Sequence, residues 1–199
     1  MLFSEKIIQT APTPPSGQEL RVFVHDANAA RKLADLLSAL LRSLNPSGNR
    51  RPVFLGIGTD RSTGDSLGPL VGARLNELAP GLLPVYGTLE QPVHAVNLRE
   101  KIQEIEKNYP HPLIIAVDAC LGQLQNVGSI NMGPGALQPG AGVHKMLPPV
   151  GDIFFSGVVN IGGYMEYLVL QNTRLSQVIK MADCITRAII SGYLPLKEE

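Results

Sequence analysis

Pro52-Val-Phe-Leu-Gly-Ile-Gly58 runs directly into Thr59-Asp-Arg-Ser-Thr-Gly64-Asp65-Ser66-Leu-Gly-Pro69-Leu70. The first stretch is apolar without alternation, as strands of a parallel sheet buried on both faces usually are. The second is a glycine-rich turn that opens a helix expected over 67–78. A strand, a turn and a helix in that order form the first half of a strand–helix–strand unit, so this stretch sets the fold class.

The unit repeats outward from there. A strand is expected over 83–89, a helix over 97–108, and a strand over 113–118 in Leu113-Ile-Ile-Ala-Val-Asp118. Asn97 stands three residues before Glu100 and resembles a capping box with Asn in place of Ser or Thr. Upstream, Leu33, Leu36, Leu37, Leu40, Leu41 and Leu44 recur at three- and four-residue steps, the stripe of an amphipathic helix over 26–44. Downstream, strands are expected over 127–132 and 152–159, separated by a segment crowded with Gly133, Gly135, Pro139, Gly140 and Gly142 that suits an active-site lid. A long closing helix over 163–190, broken near Asn172, completes the chain. Such alternation predicts a three-layer α/β/α domain with a mostly parallel sheet over residues 21–199. Residues 1–20, with Pro12, Pro14, Pro15 and Gly17, read as an N-terminal arm.

Composition narrows the function. The chain has 199 residues and 44% hydrophobic content, enough for one good-sized core. Seventeen basic and seventeen acidic residues cancel, so no global field draws it to nucleic acid or to an anionic membrane surface. The apolar runs are far shorter than the roughly 20 residues a membrane span needs, and the first ten residues lack a secretory hydrophobic segment, so a cytoplasmic protein is expected. Cys120 and Cys184 are too few and too far apart for a disulfide framework, and reduced, buried thiols are expected at both. The leucine-rich helix and the apolar closing helix leave room for a homo-oligomer.

The glycine-rich turn invites comparison with nucleotide loops and fails it. A phosphate loop places Lys and then Ser or Thr after its last glycine, whereas Asp65 follows Gly64; a dinucleotide fingerprint needs glycine where Arg61 stands. The acid at 65 is more informative. A helix cap at Asp65 would put Pro69 where it deletes an intrahelical hydrogen bond, whereas a cap at Ser66 leaves Pro69 inside the tolerated first turn. Asp65 is thereby released from capping. Asp118 closes the other buried strand, and ligands of open α/β folds sit at the carboxyl edge of the sheet. Two carboxylates meeting there can divide the roles of acid and base around an activated water, chemistry that requires no cofactor. Alternatively Asp65 and Asp118, joined by His144 beyond the lid, could hold a divalent metal. A Cys120 nucleophile with His144 as its base is a weaker alternative, because nothing in the sequence lowers the thiol pKa.

Gly56-Ile-Gly-Thr-Asp-Arg-Ser-Thr-Gly-Asp-Ser-Leu-Gly-Pro-Leu-Val-Gly72 and Val117-Asp-Ala-Cys-Leu-Gly122, with Pro139-Gly-Ala-Gly-Val-His-Lys145 and Val169-Leu-Gln-Asn-Thr-Arg-Leu175, resemble the YyaC-type sporulation proteins of spore-forming bacteria. More distantly, the Asp65 turn and the Asp118 strand resemble germination protease, which degrades small acid-soluble spore proteins, and the hydrogenase maturation proteases. The resemblance implies a phosphorylase/hydrolase-like core with Asp65 and Asp118 as the catalytic acids of a sporulation-associated peptidase. Its substrate would be a protein or peptide, small spore proteins among the candidates, in the sporulating cell or forespore. In the hydrogenase maturation proteases the corresponding acids bind metal with a histidine, and by chain position that histidine would be His144. Gly58, Thr59, Asp60, Gly64 and Ser66 are the expected substrate-binding positions, with backbone N–H groups of the 58–66 turn polarising the scissile carbonyl. A noncatalytic sporulation protein that binds a protein partner or a divalent metal at the same sheet edge is the competing reading.

Overall fold

The computed structural model describes residues 19–139, 147–163 and 165–197. In chain order the elements are β1 (Leu20–Phe23), α1 (Ala29–Leu44), β2 (Pro52–Gly56), α2 (Leu67–Leu78), β3 (Val85–Tyr86), α3 (Leu98–Asn108), β4 (Leu113–Gly122), β5 (Ser129–Pro134), β6 (Ile153–Ile161), α4 (Glu166–Gln171) and α5 (Leu175–Lys197).

The strands form one sheet in the order β1-β5-β6-β4-β2-β3. Strands β3, β2, β4 and β6 are parallel to one another, and β5 is antiparallel to both β6 and β1. Five of the six strands therefore point the same way.

Alternation along the strands divides the core in two. Phe54, Leu113, Ile115, Val117 and Phe155 face α1, α2 and α5, packing on Leu37, Val71, Met181 and Ile185. Val53, Leu55, Ile114 and Ala116 face the other way and pack on Leu98 and Ile105 of α3 and on Leu137 and Val150. The two faces carry unequal loads, three long helices against one. The expected three-layer architecture and mostly parallel sheet are the architecture observed.

The crossovers locate the crevice. The chain leaves β2, crosses through α2 on one face to β3, then returns through α3 on the other face to β4 on the far side of β2. Right-handed crossovers running in opposite directions must use opposite faces. They part beyond the carboxyl ends of β2 and β4, where an open sheet forms its ligand crevice.

Several elements differ from expectation. Strand β1 was unforeseen, because four residues with one fully buried side chain, Val22, give almost no periodic signal. Helix α1 starts at Ala29 rather than 26, since Asp26 accepts the N–H of Asn28 through Oδ1 and that of Ala29 through its carbonyl, forming turns. The strand expected over 83–89 shrinks to Val85–Tyr86, flanked by Pro84 and by Gly87 at φ +84. The capping box at Asn97 does not form: Asn97 Oδ1 accepts the N–H of His94 at 2.8 Å and its amide donates to Pro92 O at 3.1 Å, tying down the preceding loop. The break near Asn172 is present between α4 and α5. The expected arm lies almost wholly outside the described residues, as do residues 140–142 of the expected lid. Among the described residues no helix is long and apolar enough to cross a membrane.

Candidate functional site

Strand β4 outlasts its neighbour. Strand β2 pairs with β4 from Pro52↔Leu113 to Gly56↔Val117, and a last hydrogen bond runs from Ile57 N–H to Val117 O at 2.8 Å. The next donor of a continued ladder would be Ala119 N–H. It donates instead to Asp118 Oδ1 at 2.8 Å, so Asp118 itself ends the β2/β4 ladder. Beyond this point β4 runs on to Gly122 paired with β6, through an irregularity between Cys120 and Leu121 of the kind that often lies beside active sites. Asp118 thus lies within a strand, four residues before its end, rather than at its terminus as expected.

A cleft of about 570 Å3 opens where the two strands part. Both expected acids, Asp65 and Asp118, line it. Asp65 stands in a 3-10 turn, Gly64–Ser66, that leads into α2. Ser66 is the N-terminal boundary residue of α2 and makes no side-chain cap, and Pro69 falls within the first turn. Asp65 is therefore outside the helix cap, as the proline position required.

Asp65 is half-buried, and burial raises its pKa above the ordinary aspartate value; the adjacent Ser62 hydroxyl pulls the other way. Ser62 Oγ is buried and makes no hydrogen bond of good geometry, so burial prevails. An aspartate with this tendency is suited to hold a proton for donation.

The other expected positions separate. Gly58 and Thr59 line the cleft. Asp60 is exposed and outside it, Gly64 is buried where a Cβ would strike Leu170, and Ser66 is buried with Oγ donating to Thr63 O at 2.7 Å. The backbone of the turn also answers differently. Gly58 N–H donates to Val93 O, Thr59 N–H to Asp65 O, Arg61 N–H to Thr59 Oγ1, Asp65 N–H to Ser62 O and Ser66 N–H to Thr63 O. These five donors are committed within the fold and do not await a substrate carbonyl. His144 lies outside the described residues. Among the described residues no three His, Cys, Asp or Glu side chains gather as a metal-binding group. Asp65 and Asp118 supply hard oxygen donors of the type a divalent ion prefers.

Sequence reading missed His94 and Glu166, which line the same cleft with Leu137, Phe154 and Leu170. A topological signal existed for His94: it follows the β3 region, whose Val93 forms a parallel bridge with Ile57, so it reaches the same sheet edge. Glu166 arrives from α4, which folds back over Gly64, and no local pattern announces that packing.

Cys120 departs from the buried-core expectation and forms part of the cleft wall. Burial raises its thiol pKa, opposed by Ser156 Oγ, which donates to Sγ at 3.2 Å, and reinforced by the Asp118 carboxylate. A thiol held protonated is a poor nucleophile. Any hydrolysis at this cleft is accordingly expected to survive Cys120→Ser within about threefold, far from the loss that removal of a covalent nucleophile brings. A thousandfold drop in a cleavage assay would reinstate the thiol.

The model of the DUF1256 family, described as protein of unknown function, matches residues 21–188. The uncharacterized protein YyaC of Bacillus subtilis (strain 168) is 51% identical over 164 residues, covering 82% of this chain and 78% of that protein. Among solved structures, the NiFe hydrogenase maturation protease HycI from Thermococcus kodakarensis KOD1 aligns over 77% of this chain and 98% of its own, at 18% identity and a TM-score of 0.44.

Proposed function

From the premise that this chain belongs to the DUF1256 family together with YyaC, we propose that it is a sporulation-associated peptidase hydrolysing peptide bonds with Asp65 and Asp118. The observation that carries this reading is the placement of both carboxylates on one cleft at the point where β2 and β4 part.

The division of labour follows from their surroundings. Asp118 acts as general base, drawing a proton from a water as its oxygen attacks the scissile carbonyl. Asp65, whose burial favours the protonated form, is the general acid. It gives its proton to the leaving amide nitrogen as the C–N bond breaks. One water is consumed, a carboxylic acid and an amine are formed, and proton exchange with solvent returns the two aspartates to their starting states. A divalent ion held by the same carboxylates would keep both ionised and polarise the carbonyl instead, in place of the acid role of Asp65.

The test is incubation of the purified protein with small acid-soluble spore proteins, followed by mass spectrometry, with and without a chelator. Discrete fragments from wild type, absent with Asp65→Asn and with Asp118→Asn, are expected. Chelator sensitivity would assign a metal to the site. Intact substrate after prolonged incubation with wild type, or fragments that persist in both variants, would overturn the reading.

A further inference from the structure

The portion of β4 that outruns β2 carries backbone groups that face the cleft. Alternation along β4 fixes which ones. Leu113 N–H and Val117 O bond toward the β2 side, to Arg51 O and Ile57 N–H, whereas Ile114 O accepts from Asp152 N–H on the β6 side. Odd-numbered residues therefore direct their N–H and C=O toward β2, and by the two-residue period so do Ala119 and Leu121. Asp118 Oδ1 takes the Ala119 N–H. Ala119 C=O and both backbone groups of Leu121 remain on an edge that no strand among the described residues pairs. Asp118, Ala119, Cys120 and Leu121 all line the cleft, so the cleft follows this edge.

We infer that the cleft receives an extended polypeptide segment as an added β-strand on the Ala119–Leu121 edge of β4. The occupant follows from the chemistry. Two acceptors and one donor spaced at the strand repeat, beside apolar walls from Leu137, Phe154 and Leu170, match a short stretch of peptide backbone and its alternate side chains. This deepens the peptidase reading, on which its catalytic meaning rests, by specifying an unfolded or exposed chain as substrate, laid along β4 with a peptide bond held near Asp65 and Asp118.

The experiment separates binding from cleavage. The full-length Asp65→Asn protein is titrated, by fluorescence anisotropy, against a fluorescein-labelled library of random ten-residue peptides. The tightest binder is then resynthesised with single N-methyl groups at successive amides. Methylation at two amides, two residues apart, is expected to weaken binding about tenfold, and at the amide between them hardly at all, because only the N–H groups that reach Ala119 C=O and Leu121 C=O face β4. Leu121→Pro, which removes the edge donor, should weaken the same peptide by a similar factor against a Leu121→Ala control; the methylation series needs no such variant and stands if the proline protein does not fold. A flat or uniform methylation profile, or a library with no binder, overturns the inference. Period-two binding with no cleavage by wild type would sustain it while removing the peptidase reading, and cleavage with a flat profile would do the reverse.

Discussion

Asp65→Asn is expected to slow peptide cleavage by about a thousandfold, the usual weight of a positioned acid, while making the protein more stable than wild type at neutral pH. The two effects share one cause. Burial raises the Asp65 pKa above the ordinary aspartate value, so the folded protein holds that proton more tightly than the unfolded chain does. Stability from this group is therefore complete at pH values below the ordinary aspartate pKa, declines as pH rises through the raised value, and stays reduced above it. Asparagine never ionises and escapes that decline. Calorimetry across pH should show the variant melting higher than wild type near pH 7 and the gap closing in acid. A variant that melts lower at neutral pH would mean that the ionised carboxylate is stabilised where it stands, and the acid role would be lost with it.

The pH–rate profile follows the same logic. With Asp65 as the acid, kcat should fall on the alkaline side as that proton is lost. Asp118→Asn has a second consequence, because Asp118 Oδ1 also accepts the Ala119 N–H at the end of the ladder. An asparagine amide oxygen can accept the same bond, so this variant should fold and keep the strand edge in place while losing the base.

The parts of this arrangement that sequence discloses are those governed by short-range rules. Phe54 and Leu55 in β2 and Ile114 and Ile115 in β4 are fully apolar runs, and their burial on opposite faces follows from the two-residue period. Pro69 reports where α2 begins, and so releases Asp65. Parallel strands then bring Asp65 and Asp118 to one edge. What escaped was set by distant contacts. Strand β1 exists because β5 offers it an edge, with Leu20 opposite Met132. The extension of β4 past Asp118 depends on β6, and Glu166 reaches the cleft only because Gly64 lets α4 approach through Leu170. The turn at 58–66 shows the same limit: its glycines suggest donors presented to a ligand, whereas the N–H groups of Thr59, Arg61, Asp65 and Ser66 bond within the turn.

Gly58→Ala tests that last point, and its expected result is a loss of about 2–3 kcal/mol of stability together with a roughly hundredfold loss of cleavage. Gly58 has φ +141, a conformation L side chains rarely adopt, and a Cβ there would stand 1.9 Å from the carbonyl oxygen of Asp65. That oxygen accepts the Thr59 N–H at 3.0 Å, the bond that closes the turn and fixes the acid beside the cleft. The methyl group requires Gly58 and the Asp65 backbone to move apart, so stability and activity should fall together. Gly48→Ala separates general backbone strain from this local displacement. Gly48 also has positive φ, +66, but a Cβ there meets nothing within 4 Å. Its replacement should cost about 1 kcal/mol and leave kcat/KM unchanged. If Gly58→Ala lost stability to the same small extent as Gly48→Ala and cleaved at the wild-type rate, the Thr59–Asp65 bond would not be what positions the acid, and Gly58 would return to a role in contacting substrate.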